Sequence, residues 1–215
     1  GNKLIKKTEN EELNDLIKRL LKKDKSKRLK WDEYLNHSFF NIILIYEKKL
    51  NEDKANNIFG KNFVKNNKDK IELIVNGEKN KLISEYKLKE GENKIEIIIK
   101  NKITNLEYMF YECISLKNIE GLKFLDTKEI KNFSYMFYGC ELLKDIKGLE
   151  NWDVSNGNNF SHMFYGCESL LDIKKLENWN VSNGNNFSGM LSSCKLLSDI
   201  KGLENWNVSN GNNFS

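Results

Sequence analysis

A period of 27 residues governs the second half of this 215-residue chain. The four cysteines follow one another at this interval, at Cys113, Cys140, Cys167 and Cys194. All four methionines and three of the four tryptophans keep the same step. A fixed period of roughly 20 to 50 residues is typical of stacked repeats, in which each unit buries its apolar side chains against its neighbours. The sequence therefore predicts that these residues fill a continuous core and do not form a chemical site.

Each repeat has two halves with different apolar spacing. The repeats run over residues 105–131, 132–158, 159–185 and 186–212, and a fifth begins at 213. The first half has apolar residues three or four apart, which predicts a helix that Asn132 or Ser134 can cap: Phe133, Met136, Phe137, Cys140 and Leu143. The second half predicts a short strand followed by a turn at Asn156-Gly157, and its inward residues are Leu143, Ile146, Leu149, Trp152 and Val154.

The region before the repeats changes pattern twice. Residues 11–22 carry leucine and isoleucine at helical spacing, which predicts an amphipathic helix, and a second short helix is expected around Trp31 to Leu35. Residues 41–70 have no sustained period and are interpreted as a linker. Residues 71–104 alternate and predict a small sheet with strands at about 71–75, 81–87 and 94–100. The predicted fold class is α/β: a leucine-rich-repeat solenoid of 27-residue units, an N-terminal β-sheet cap and preceding helices.

Composition excludes several classes of function. A formal net charge of +4 is too small to indicate a nucleic-acid partner. The longest apolar run, from Phe39 to Tyr46, is too short to span a membrane. The cysteines form no Cys-x-x-Cys pair, so we expect no metal site and no cofactor. The chain starts at Gly1 without an initiator methionine and stops three residues into a repeat, which we interpret as a fragment cut at both ends.

The repeats resemble BspA-like leucine-rich repeats, including those of mycoplasma lipoproteins. The resemblance rests on a Met-Phe-x-x-Cys-x-x-Leu segment followed by a strand and a Trp-Asp-x-Ser-Asn segment, and it covers residues 105–215. It implies a protein-binding surface and no catalysis.

Residues 16–40 resemble the last helices of a eukaryotic serine/threonine protein kinase domain. The matching residues are Leu20, Leu21, Asp24, Arg28, His37, Phe39 and Phe40. The resemblance implies that residues 1–40 are the end of a kinase C-terminal lobe, with Asp24, Arg28 and His37 in structural roles. The chain has no His-Arg-Asp or Asp-Phe-Gly motif and no glycine-rich loop, so we expect no catalytic residues in it.

Two columns of charge are the candidate partner site. Asp and Lys alternate at positions that would point outward from the predicted strands: Asp145, Lys147, Asp172, Lys174, Asp199 and Lys201. Neighbouring columns of opposite sign compensate each other, so a solvated face explains them as well as a charged strip for a protein partner. His162 is interpreted as an exposed edge residue because the equivalent positions of the other repeats hold different residues, Tyr108, Tyr135 and Gly189.

Three functions fit these observations. The leading one is a non-catalytic protein-interaction module, the C-terminal part of a kinase and leucine-rich-repeat protein in the cytoplasm. The first alternative makes the parent an active serine/threonine kinase, and the second makes it an extracellular adhesin. The state of the cysteines distinguishes the cytoplasmic interpretations from the extracellular adhesin. Packed helices lie about 8–10 Å apart, which is too far for neighbouring cysteines to form disulfides. We therefore expect buried free thiols.

Overall fold

A computed structural model describes residues 11–22, 41–50 and 54–215. The chain divides into two compact units, Gly1–Asn41 and Ile42–Ser215. In the first unit, helix α1 (Glu11–Leu20) confirms the predicted amphipathic helix, with Leu16 buried and an ion pair of 3.9 Å between Asp15 and Arg19. The helix predicted around Trp31 lies outside the described residues.

The second unit contains an open five-stranded antiparallel sheet. Its strands are β1 (Ile42–Lys48), β3 (Ile71–Val75), β4 (Glu78–Lys81), β6 (Gly91–Ile99) and β7 (Leu116–Glu120), in the order β4-β3-β6-β1-β7. Two further short strands, β2 (Asn56–Asn57) and β5 (Glu85–Tyr86), pair with each other. Helix α2 (Lys61–Asn67) follows β2 and buries Phe63. The predicted strand at 71–75 is confirmed. The strand predicted at 94–100 is β6, which begins three residues earlier and ends one residue earlier. The strand predicted at 81–87 is wrong in its bounds, because β4 ends at Lys81 and only Glu85–Tyr86 forms a strand in the rest of that range.

Residues interpreted as a linker supply a central strand. Strand β1 pairs with β6 on one side and β7 on the other, with Leu44 opposite both Ile95 and Ile119. Its side chains are almost continuously buried, and the Tyr46 hydroxyl donates a 2.6 Å hydrogen bond to the carbonyl oxygen of Ile58. A short continuous apolar run is consistent with a strand that is covered on both faces, and such a run shows no alternation. The linker interpretation of residues 42–48 is therefore wrong.

Strand β7 ties the sheet to the repeats because it belongs to the first repeat. The equivalent residues of the next repeat, 143–147, form no strand. Only the first repeat has β1 beside it as a partner, which explains why one of the predicted repeat strands forms. The apolar core is continuous from the sheet through the repeats.

The predicted leucine-rich-repeat solenoid of α/β class is wrong. In the described residues the only α-helices are the short α1 and α2, and neither lies in a repeat. The regular structure is mostly antiparallel sheet. Apart from β7, the repeats consist of turns, isolated parallel bridges and three short 3-10 helices (Leu122–Phe124, Leu149–Asn151 and Lys174–Leu176). The predicted helix of each first half is replaced by a chain of turns at residues 134–139 and their equivalents.

Backbone hydrogen bonds explain why no helix forms there. The N–H groups of Phe133, Tyr135 and Phe137 donate to carbonyl oxygens of the following repeat, those of Asn159, Ser161 and Met163, at 2.8 to 3.0 Å. The N–H groups of Met136 and Tyr138 donate three residues back within their own repeat, both at 3.3 Å. The N–H of Ser134 donates to the side-chain oxygen of Asn132 at 3.0 Å. An α-helix would need every one of these N–H groups for its own i−4 carbonyl. The three- and four-residue apolar spacing therefore reports on packing between repeats, not on a helix.

Side chains of the same kind pack on one another from repeat to repeat. The rings of Phe133 and Phe160 stack at 5.3 Å, and those of Phe160 and Phe187 at 5.4 Å. Each turn at Asn-Gly is held to the previous repeat, because the side-chain amide of Asn183 donates a 2.7 Å hydrogen bond to the carbonyl oxygen of Ser155. The prediction that the periodic residues form the core is confirmed by their burial.

Candidate functional site: a half-buried aromatic strip

Six aromatic side chains form two columns on the surface of the repeats, and we call them the tyrosine strip. Each is half-buried, unlike the phenylalanines of the core: Tyr108, Tyr135 and His162 in the first column, and Tyr111, Tyr138 and Tyr165 in the second. The first column stacks at ring-centroid distances of 4.9 and 4.8 Å. The second column also stacks at 4.9 and 4.8 Å, with interplanar angles of 14° and 6°. The strip therefore presents ring edges and hydroxyls to solvent, because neighbouring rings cover the faces.

The first column stands on strained backbone. Tyr108, Tyr135 and His162 have φ of 59°, 56° and 55°, and Gly189 follows at the same position with φ of 60°. A left-handed conformation costs about 1–2 kcal/mol for a residue with a Cβ, whereas glycine adopts it freely. The tyrosines are thus placed where glycine would fit the backbone better. Stacking offsets part of this cost, since an aromatic pair contributes about 0.5–1.5 kcal/mol beyond its buried area.

A groove opens at the N-terminal end of the strip. Its volume is 340 Å³, and it is lined by Asn57, Phe59, Gly60, Lys61, Asn62, Tyr108, Tyr111 and Glu112. Gly60 forms its floor, because a Cβ there would collide with the carbonyl oxygen of Tyr108. The Gly60 N–H donates a 3.1 Å hydrogen bond to the carbonyl oxygen of Met109. This close approach fixes the start of α2 against the first repeat.

Carboxylates border the groove end of the strip. Burial raises the pKa of Tyr111 to about 12, and the charge of Glu112 and a hydrogen bond to it add to the rise. The pKa of Tyr108 is raised first by burial and then by the charge of Glu107. Phenols are protonated at neutral pH, and the Tyr111 hydroxyl uses its proton in the hydrogen bond to Glu112. The ammonium of Lys61 is held at 2.8 Å from Glu85, which offsets the positive charge at the groove.

The structure exposes all six residues of the predicted charged strip and leaves them outside any strand: Asp145, Lys147, Asp172, Lys174, Asp199 and Lys201. The carboxylates of Asp172 and Asp199 each accept a 3.1 Å hydrogen bond from the backbone N–H two residues later. Asp199 also pairs with Lys201 at 3.5 Å, and that backbone hydrogen bond is the main reason its pKa is lowered. At least two of the three aspartates thus hold local turns, and a binding role for the six residues stays a prediction.

Other predicted residues lie elsewhere. Asp24, Arg28 and His37 fall outside the described residues, so the kinase resemblance stays a prediction. His162 was expected at an exposed edge, but its ring is half-buried and stacks on Tyr135 with an interplanar angle of 2°. Across residues 11–22, 41–50 and 54–215, no three His, Cys, Asp or Glu side chains are grouped to hold a metal ion. In the same part of the chain, no helix has the length and apolar character to cross a membrane.

Sequence reasoning missed the tyrosine strip although its signal was present. Tyr111, Tyr138 and Tyr165 keep the 27-residue step through the first three repeats, and Ser192 stands at this position in the fourth. The helix predicted for each repeat would place these tyrosines among other surface residues, so they were not predicted to form a site. The turns instead align identical positions of neighbouring repeats, so that a periodic surface residue becomes a continuous column.

Comparison with known proteins identifies one family. The family model described as "Mycoplasma protein of unknown function, DUF285" matches residues 104–215. No curated protein and no solved structure matches the chain. The matched residues are the repeats, including the whole tyrosine strip.

Proposed function

This chain belongs to the family of mycoplasma proteins of unknown function called DUF285, and we propose that it is a non-catalytic module that binds a protein partner on the tyrosine strip. The observation that supports this most is the placement of Tyr108 and Tyr135, half-exposed and in the left-handed region. Strained residues persist where the surroundings enforce them, and they cluster at functional sites.

The chemistry of the strip favours a polypeptide over other polymers. Tyrosine is enriched at protein interfaces because it combines a large apolar ring with a hydroxyl. Nucleic-acid bases stack on aromatic faces, but here the rings of neighbouring repeats cover those faces. Glu107 and Glu112 beside the strip would also repel phosphates. Ring edges and hydroxyls suit the apolar side chains and carbonyl groups of an extended peptide.

A selection experiment tests this proposal. A phage-displayed library of random peptides is panned on the protein, and enriched peptides are then assayed on two double variants. Tyr111→Ala/Tyr138→Ala removes the middle of the second column, and Lys147→Ala/Lys174→Ala changes the charged residues that sequence analysis favoured. Circular dichroism and the melting temperature show that each variant is folded.

We expect enriched peptides that bind the lysine variant as they bind the unchanged protein and lose most of their binding to the tyrosine variant. Peptides that lose binding only to the lysine variant would move the site to the charged strip. Absence of any enriched peptide that depends on the tyrosines would contradict the proposal.

A further inference from the structure

We propose that the partner segment is a basic peptide in the polyproline II conformation, lying along the tyrosine strip with a cationic side chain at the groove. This inference rests on the proposed function and names the chemical class of its partner. Three features of the strip support it: its step length, the hydroxyls it exposes and the charge at its N-terminal end.

The step length fits a polyproline II helix. Two steps, of 4.9 and 4.8 Å, lead from Tyr111 through Tyr138 to Tyr165. A polyproline II helix rises about 3.1 Å per residue, so that every third residue returns to the same face after about 9.3 Å. A β-strand returns to the same face after roughly 6.7 Å, which matches neither one step nor two. An α-helical turn advances about 5.4 Å and falls progressively out of register with the columns. A proline-rich segment can therefore make the same contact on alternate repeats.

The exposed groups of the strip complement such a peptide. A polyproline II backbone has no internal hydrogen bonds, so its carbonyl oxygens are free to accept them. Tyr138 stacks between Tyr111 and Tyr165 in the second column, and its phenol is protonated at neutral pH and can donate to such a carbonyl. Proline-rich segments dock on aromatic surfaces in other recognition domains, where the preformed helix lowers the entropy cost of binding.

Charge at the groove selects a basic peptide. Glu112 is exposed, follows Tyr111 directly and lines the groove. Glu107 lies next to Tyr108, where one of its oxygens is 3.5 Å from the Ser134 hydroxyl. The cation of this groove, Lys61, is paired with Glu85 at 2.8 Å. A guanidinium or ammonium group of the peptide therefore meets carboxylates at this end, with the lysine charge already offset.

Fluorescence anisotropy with labelled nine-residue peptides tests the inference. The probes are three repeats of Pro-Pro-Arg, three of Pro-Pro-Glu and three of Gly-Ser-Arg. The second reverses the charge at the same backbone conformation, and the third keeps the charge on a flexible backbone. The proteins are the unchanged chain, Tyr138→Ala, Tyr138→Phe, Glu112→Gln and the control Lys147→Ala.

We expect Pro-Pro-Arg to bind at least about tenfold more tightly than either other peptide, a difference of about 1.4 kcal/mol. Tyr138→Ala and Glu112→Gln should each weaken it several-fold, and Lys147→Ala should not. Tyr138→Phe keeps the stack and removes only the hydroxyl, so it should cause a smaller loss and keeps the test valid if the alanine variant fails to fold.

Equal binding of Pro-Pro-Arg and Gly-Ser-Arg would overturn the inference, since charge alone would then explain it. Binding that is unchanged in Glu112→Gln and in both Tyr138 variants would overturn it too. If panning still yields strip-dependent peptides of another composition, the proposed function stands and only the peptide class is wrong. If panning yields none, both proposals fail.

Discussion

The indole nitrogen of Trp179 donates a 2.8 Å hydrogen bond to the carbonyl oxygen of Leu149, thirty residues earlier in the chain. The same bond joins Trp152 to Leu122 and Trp206 to Leu176. The three indole rings stack at 6.3 and 6.2 Å with interplanar angles of 7°. The prediction that the tryptophans fill the core is confirmed for Trp152 and Trp179, whereas Trp206 is only partly buried. Each tryptophan therefore links its own repeat to the one before.

Replacing Trp179 by phenylalanine tests this link. The substitution keeps an aromatic ring but removes one of the two hydrogen bonds to the carbonyl oxygen of Leu149, which still accepts the backbone N–H of Trp152 at 3.1 Å. Losing that one hydrogen bond costs about 0.5–1.5 kcal/mol. The smaller ring also leaves a cavity, which adds to the loss. We expect the free energy of unfolding from urea titration to fall by at least about 2 kcal/mol.

Trp206→Phe is the matched control, because its indole makes the same bond from a partly buried position. Both variants lose one of two hydrogen bonds to a carbonyl oxygen, but the ring of Trp206 is less buried, so its truncation leaves a smaller cavity and the loss should be smaller. Equal losses in the two variants would show that burial of the indole ring does not set the cost.

Gly157→Ala tests how tightly the Asn-Gly turn packs. A Cβ at this position would lie 2.5 Å from Cζ of Phe160 and 3.0 Å from Cε2 of Phe133. These rings stack on one another and have little room to move, so overpacking should cost about 1–3 kcal/mol or more. Thermal unfolding should show a clear fall in melting temperature.

Gly77→Ala serves as the comparison for Gly157→Ala. Gly77 has φ of 82° and no atom within 4 Å of a Cβ, so the substitution introduces backbone strain without a collision. We expect the Gly157 variant to be the less stable of the two. If the Gly77 variant were instead the less stable of the two, the rings beside the Asn-Gly turn would be able to move and accommodate the added methyl group.

Periodicity predicted the contents of the core but not its backbone. The spacing of Phe133, Met136, Phe137 and Cys140 fits a helix, and within one repeat nothing distinguishes a helix from a chain of turns. Hydrogen bonds between repeats determine that the backbone forms turns and not a helix. One example is the 2.8 Å bond from the Phe137 N–H to the carbonyl oxygen of Met163, which no single repeat contains. Tyr135 and Gly139 have positive φ, which is incompatible with a right-handed helix. Of the two, only the glycine is a residue type that indicates such a conformation in a sequence.

The sheet shows a second limit of the sequence pattern. Strand β3 was predicted correctly because its residues alternate between buried and half-buried positions. Strand β1 was missed because it is buried on both faces, so its apolar residues form a run and do not alternate with polar ones. The same limit explains the tyrosine strip, since Tyr111, Tyr138 and Tyr165 become one surface only when neighbouring repeats stack.

Thiol accessibility provides a further prediction. The structure contains four free cysteines, and Cys113, Cys140 and Cys167 are buried while Cys194 is partly exposed. The Cys140 thiol donates to the carbonyl oxygen of Phe110 at 3.1 Å, and Cys167 does the same to Phe137 at 3.2 Å. Helix spacing was the wrong reason to expect free thiols, because stacked rings of the repeats lie only 4.8 Å apart. Burial and hydrogen bonding provide the reason instead.

Titration of the folded protein with a thiol-specific reagent should therefore find slow reaction at Cys194 and almost none at the other three. After denaturation without reductant, all four should react, as expected for free thiols. Recovery of two or none after denaturation would show disulfides and would favour the extracellular adhesin interpretation of the parent protein.

Stability should fall in mildly alkaline solution because of these thiols. Burial raises the pKa of Cys194 to about 11 and raises those of Cys140 and Cys167 well above the usual value. In the unfolded chain a cysteine thiol has a pKa of about 8.5. Above that pH the unfolded chain releases protons that the folded chain retains, so the free energy of unfolding falls as pH rises, and below it the contribution is complete.

Cys140→Ala isolates one thiol from this effect. For the fully buried Cys140, the fall should approach about 1.4 kcal/mol per pH unit between about pH 9 and 10.5. The alanine variant starts less stable at pH 7, but its stability should decline less steeply, because one thiol fewer ionises when it unfolds. Urea midpoints measured from pH 7 to 10.5 give both slopes. Parallel slopes would mean that Cys140 ionises in the folded protein as it does in the unfolded chain, and that the cysteine column is open to water.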